Sequence, residues 1–82
     1  MNSDYLDLDI NEQMIKLGLK VLYYRKLRNL TQDELSEKSG ISTVVISRIE
    51  NTTTNMEVMT ILKIAKALKV NPHKLFDFRE MD

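Results

Sequence analysis

Apolar residues recur at three- and four-residue spacing through most of the chain, broken by short polar turns, and this rhythm predicts five helices. The first spans 11–28, with Asn11 as its N-cap and Met14, Leu17, Val21 and Tyr24/Arg25 on its inward stripe. Leu19, Leu22, Tyr23 and Leu27 fall off that stripe; Leu19, Leu22 and Tyr23 read as exposed, along with Phe78, as scattered surface apolars or as a dimer patch. Gly18 lies mid-helix, where glycine costs about 1 kcal/mol relative to alanine. A close approach by another helix is expected there.

The second helix opens at Thr31, whose side chain and that of Glu34 form a T-x-x-E capping box behind Leu30. It runs to about Lys38, and Gly40 supplies the left-handed exit. Ser42 caps the third helix, which runs to about Asn51. Ile46 and Ile49 point inward, Ile41 sits at the turn, and Thr43, Val44, Ser47 and Arg48 lie on the other side. The β-branched run Thr43, Val44, Val45, Ile46 is a weak helix former, so tertiary packing must hold it. After the polar loop 51–55, Asn55 caps a fourth helix over 56–69, with Val58, Ile61, Ala65 and Leu68 as its core stripe and Leu62 alongside. Asn71-Pro72 opens the fifth, about 72–78, with Leu75 and Phe76 inward. Phe78 and Met81 find no evident partner.

Ahead of the helices, 5–10 alternates: Leu6, Leu8 and Ile10 on one face, Asp7 and Asp9 on the other. The pattern suits an arm that frays, packs on the domain or pairs with a partner chain. The expected organisation is an arm (1–10), one helical domain (11–78) and a tail (79–82). With 82 residues, two glycines and one proline, the fold class is all-α with a single small core.

Composition narrows the function. No cysteine is present, which excludes disulfides and thiolate metal sites. The single histidine, His73, reads as an exposed first-turn residue, so no metal is expected. No paired carboxylates, nucleophile–base set or glycine-rich phosphate loop supports an enzyme, a cofactor or a small-molecule ligand. No run is long enough to span a membrane and no secretory leader is evident, which makes the cytoplasm the expected location. Twelve basic residues balance twelve acidic ones. The charges are segregated: three Asp in 1–10, a basic excess in 11–28, and four Lys with no acid in 63–74, read as a solvated face.

Counted from Gln32, the fourth position is apolar Leu35, the fifth is small Ser36, the ninth is Gly40, and the fifteenth and eighteenth are Ile46 and Ile49. Two short helices crossing at about 100° need a small residue where they approach, a positive φ at the turn, and apolar residues to seal them to their neighbours. These are the constraints of a helix-turn-helix.

Here the chain resembles the Cro/C1-type (XRE-like) helix-turn-helix family over about 14–78. LGLKVLYYR (17–25) is similar to the family's first helix, LTQDELSEKSGISTVVISRIEN (30–51) to its central pair, and NMEVMTILKIAKALKVNPHKLF (55–76) to its last two helices. The resemblance implies a lambda-repressor-like five-helix domain that regulates transcription, as a repressor, by binding double-stranded DNA. It makes the third helix the major-groove reader. Thr43, Val44, Ser47 and Arg48 are then base contacts, and Gln32, Ser42, Asn51 and Thr53 phosphate contacts. Arg25 and Glu50 resemble the family's buried ion pair. A homodimer on an inverted repeat would double the readout, joined through the fifth helix and C-terminal tail, a seam to which the arm could add. The chain departs from the family in its uncharged NTTTN loop (51–55), in Ser36 for the usual alanine and in Met56 for the usual proline. The neutral loop and zero net charge also suit an alternative: a protein-interaction module or antitoxin-like partner on the same fold.

Overall fold

The computed structural model describes residues 7–51 and 55–81. All elements among them are helical: α1 Ile10–Leu27, α2 Gln32–Ser39, α3 Thr43–Asn51, α4 Val58–Leu68 and α5 Pro72–Leu75, then a single 3-10 turn, Arg79–Met81. The first part of the acidic–apolar segment, through residue 6, lies outside the described residues.

Helix α1 starts earlier than Asn11 suggests. Asp9 is the N-cap, and its carboxylate accepts from the Glu12 amide at 3.2 Å. An aspartate caps as well as asparagine and adds a favourable charge at the positive helix end. Ile10 is therefore helical and not part of an extended arm, and both Leu8 and Ile10 are exposed. The buried face carries Leu17, Gly18, Val21 and Arg25. A Cβ at Gly18 would collide with the carbonyl of Ile49, so glycine lets α3 lie directly on α1. Leu22, expected on the exposed side, is half-buried.

Helix α2 has both halves of its capping box. Thr31 Oγ1 accepts from the Glu34 amide at 3.0 Å, and Glu34 Oε1 accepts from the Thr31 amide at 2.9 Å. The turn passes through Gly40 at φ 75°, whose amide donates to the Ser36 carbonyl at 2.9 Å. Ser42 Oγ then accepts from the Val45 amide at 3.2 Å and opens α3.

Helix α4 begins at Val58, two residues beyond the start read from the sequence, and Asn55 does not cap it. Its N-cap is Glu57, which makes no side-chain capping bond. The non-helical stretch 55–57 brings Met56 against the core. The inward stripe is Ile61, Ile64, Ala65 and Leu68; Val58 is 70% exposed and Leu62 is exposed. Lys69 ends the helix in the left-handed region at φ 58°, and the Val70 amide reaches back to the Ala65 carbonyl at 3.1 Å. Arg28 adds a second closure, donating from Nε to the Leu68 carbonyl at 2.8 Å.

Helix α5 is shorter than expected. Asn71 caps it, but it ends at Leu75. Leu75 is buried while Phe76, expected in the core, is exposed at the C-cap. The chain turns there and brings Phe78 back against the core, so this residue does have an intramolecular partner, and Met81 is half-buried. Leu17, Val21, Leu35, Ile46, Ile49, Ile64, Ala65, Leu68 and Leu75 form the centre, drawn from every α-helix. Removing that apolar surface from water drives the assembly, and it holds the β-branched α3 helical against its propensity.

Candidate nucleic-acid interface

Three segments meet at one carboxylate. Glu50, near the end of α3, accepts from Arg25 Nε at 2.7 Å and from Arg25 Nη2 at 2.9 Å. Arg25 Nη1 donates to the Leu30 carbonyl at 2.8 Å, just ahead of α2. Gln32, the first residue of α2, donates from Nε2 to Glu50 Oε1 at 3.1 Å. Arg25 and Glu50 are both buried, and no buried side-chain nitrogen or oxygen among the described residues lacks a partner. The Glu50 hydrogen bonds hold the Arg25 guanidinium above its ordinary value. This network locks the end of α1, the start of α2 and the end of α3 in one arrangement.

Gln32 is accordingly half-buried rather than a fully exposed helix start. One amide proton goes to Glu50; a carboxamide has a second, which remains available for a phosphate oxygen. Ser42 spends a lone pair on the Val45 amide, which leaves its hydroxyl proton as a donor. Asn51 is the last residue of α3 rather than part of the loop. Its Nδ2 donates to the Ser47 carbonyl at 2.8 Å and lies 3.4 Å from Ser47 Oγ. Thr53 lies outside the described residues.

Thr43, Val44, Ser47 and Arg48 share one side of α3, since Thr43 with Ser47 and Val44 with Arg48 are four apart, Val44 with Ser47 is three apart, and such positions are neighbours on a helix. Val44 and Arg48 are exposed; Thr43 and Ser47 are half-buried. The face offers an arginine fork, two hydroxyls and two methyl-bearing surfaces, a set that suits base edges in a major groove. Sequence reasoning missed Asp33. Its Oδ1 accepts from Thr43 Oγ1 at 3.0 Å. Asp33 reads in the sequence only as a first-turn acid, and nothing local signals a partner in the next helix.

A second cluster lies elsewhere. Lys38 at the end of α2 and Lys63, Lys66 and Lys69 on and just after α4 line a shallow depression together with Ser39 and Ala67. A further depression, almost wholly apolar, lies between the start of α1 and the end of α5, lined by Leu8, Ile10, Met14, Leu17, Phe76 and Phe78. Among the described residues no group of acids and histidine is placed to hold a metal, and no helix is long and apolar enough to cross a membrane.

The helix-turn-helix family model matches residues 21–75. The control protein C.SmaI of Serratia marcescens is 32% identical over 74 residues, covering 90% of this chain and 84% of that protein. The restriction-modification controller protein C.AhdI of Aeromonas hydrophila superposes with a TM-score of 0.76 at 29% identity, over 79% of this chain and 98% of that one. SinR, the master regulator for biofilm formation solved in complex with DNA, superposes at 0.70 with 34% identity, over 74% of this chain and 98% of its own. The chain thus belongs to the Cro/C1-type helix-turn-helix family, whose members are DNA-binding transcriptional regulators and not enzymes.

Proposed function

We propose that the protein is a sequence-specific repressor that binds an inverted-repeat operator in double-stranded DNA as a homodimer, in the cytoplasm. The observation that carries this reading is the single outward face of Thr43, Val44, Ser47 and Arg48, held by the buried Arg25–Glu50–Gln32 network. Helix α3 enters the major groove. Arg48 donates to guanine O6 and N7, and Val44 packs on a thymine methyl. Gln32 and Ser42, at the starts of α2 and α3, donate to phosphate oxygens where the helix ends favour anions. Asn51, the last residue of α3, and Thr53 contact phosphates of the DNA backbone.

The apolar depression between α1 and α5 supports the homodimer. Leu8, Ile10 and Phe76 are each more than half exposed there, at 55%, 68% and 51%. A twofold seam at this place would cover α5, the tail and the residues leading into α1. Similarity to the control protein C.SmaI and the restriction-modification controller protein C.AhdI favours a small regulatory protein.

Selection of bound duplexes from a random pool at about 50 mM salt tests binding, motif and symmetry together. An enriched motif with twofold symmetry is expected. The uncharged 51–55 loop and zero net charge favour a second reading, a protein-interaction module on the same fold. Absence of any DNA binding at that salt would select it.

A further inference from the structure

Asp33 and Thr43 sit in the first turns of α2 and α3, and the Thr43 hydroxyl donates to the Asp33 carboxylate at 3.0 Å. A threonine hydroxyl carries one proton and two lone pairs, and when free to rotate it serves a base as either donor or acceptor. An ionised carboxylate only accepts. The proton is therefore committed to Asp33, and the hydroxyl has only lone pairs left for a base.

We infer that Asp33 sets the polarity of Thr43, making the first turn of α3 a reader of an exocyclic amine, the adenine N6 of an A·T pair. The inference rests on the reading of α3 as the major-groove helix. In that groove the exocyclic amines are adenine N6 and cytosine N4. The guanine edge offers only acceptors, which oppose both the Thr43 lone pairs and the Asp33 charge. The Thr43 methyl, with the exposed Val44 beside it, separates the two amines. Only an A·T pair presents an amine together with a thymine methyl. Asp33 is a positioning residue here, acting on the base through Thr43.

The test is selection from a random pool with the wild-type chain, Asp33→Ala and Thr43→Val, followed by affinities for duplexes that differ at the affected pair. The wild type should enrich A·T at one position of each half-site. With Asp33→Ala the hydroxyl turns freely, and a preference of about tenfold should fall to about twofold at that position only. Thr43→Val keeps a methyl and loses the acceptor, so discrimination by the amine should disappear there as well. An unchanged motif in Asp33→Ala, or a uniform gain in affinity with the same base preference, overturns the inference and reduces Asp33 to a nearby charge. An unchanged motif in Thr43→Val does the same for the hydroxyl. A wild-type chain that selects no motif removes the major-groove reading and this inference with it, a result distinct from an unaltered variant.

Discussion

Arg25 and Glu50, 25 residues apart in the chain, meet in a two-pronged buried pair, and Gln32 shares the same carboxylate. The pair joins α1 to the end of α3. Removing one partner strands the other charge in a nearly dry site. Arg25→Met or Glu50→Leu should each destabilise the fold by about 3–5 kcal/mol. The double variant should recover much of that loss, because neither charge is then left unpaired. Urea unfolding of the three variants decides it; additive losses in the double variant would show that the pair is not coupled.

Gly18 is where α3 rests on α1. Alanine normally gains about 1 kcal/mol over glycine inside a helix. Here its methyl would run into the Ile49 carbonyl, which is backbone and has little room to yield. Gly18→Ala should therefore destabilise by about 1–3 kcal/mol, the usual range for overpacking. A shift in the thermal midpoint reads the sign directly, and a rise would mean the two helices separate cheaply.

Acid should weaken the fold through two carboxylates. Glu34 is held below its ordinary value, first by the Thr31 amide hydrogen bond and then by the Thr31 hydroxyl. Asp77 is held well below its ordinary value, first by the side-chain hydrogen bonds of Arg79. A depressed folded-state value means that the contribution is present above the unfolded value and is lost as pH falls through the folded one. The loss should thus begin below the ordinary Glu value of 4.5 and continue toward lower pH. Stability measured across that range in Glu34→Gln should show a shallower acid limb than in the parent.

The proposed DNA contacts separate by their dependence on sequence. Arg48→Ala should cost about 1–3 kcal/mol on the selected operator and relax one base position, while the fold survives. Gln32→Ala should weaken binding to all duplexes alike, because a phosphate contact carries no sequence information. It should also lower stability by about 1 kcal/mol through the lost bond to Glu50. A Gln32→Ala loss confined to the operator would contradict the phosphate role.

Much of the fold was legible because local chemistry and tertiary need agree at its centre. Thr31 and Glu34 announce a helix start, Gly40 a turn, and Leu35, Ile46 and Ile49 an apolar seal, and each occupies the place its residue type predicts. The periphery was less legible. Asp9 and Asn11 are both competent caps, and the helix starts at the first, whose carboxylate accepts from the Glu12 amide. Val58 and Ile64 are equally apolar, yet the loop that seats Met56 delays α4 and leaves the first in solvent. Phe76 and Phe78 exchange their expected places because α5 stops after one turn.

By itself the sequence determined the helix-turn-helix, its outward residues and the Gly18 crossing, since each is a short-range constraint written in residue type and spacing. Tertiary structure alone decided two further polar pairings, beyond the Thr31–Glu34 box and the Arg25–Glu50 pair. Gln32 is tethered to Glu50, and Thr43 is bound to Asp33, because folding brings residues 18 and 10 positions apart within hydrogen-bond reach. A donor's direction depends on its partner in space, and spacing along the chain carries no record of it.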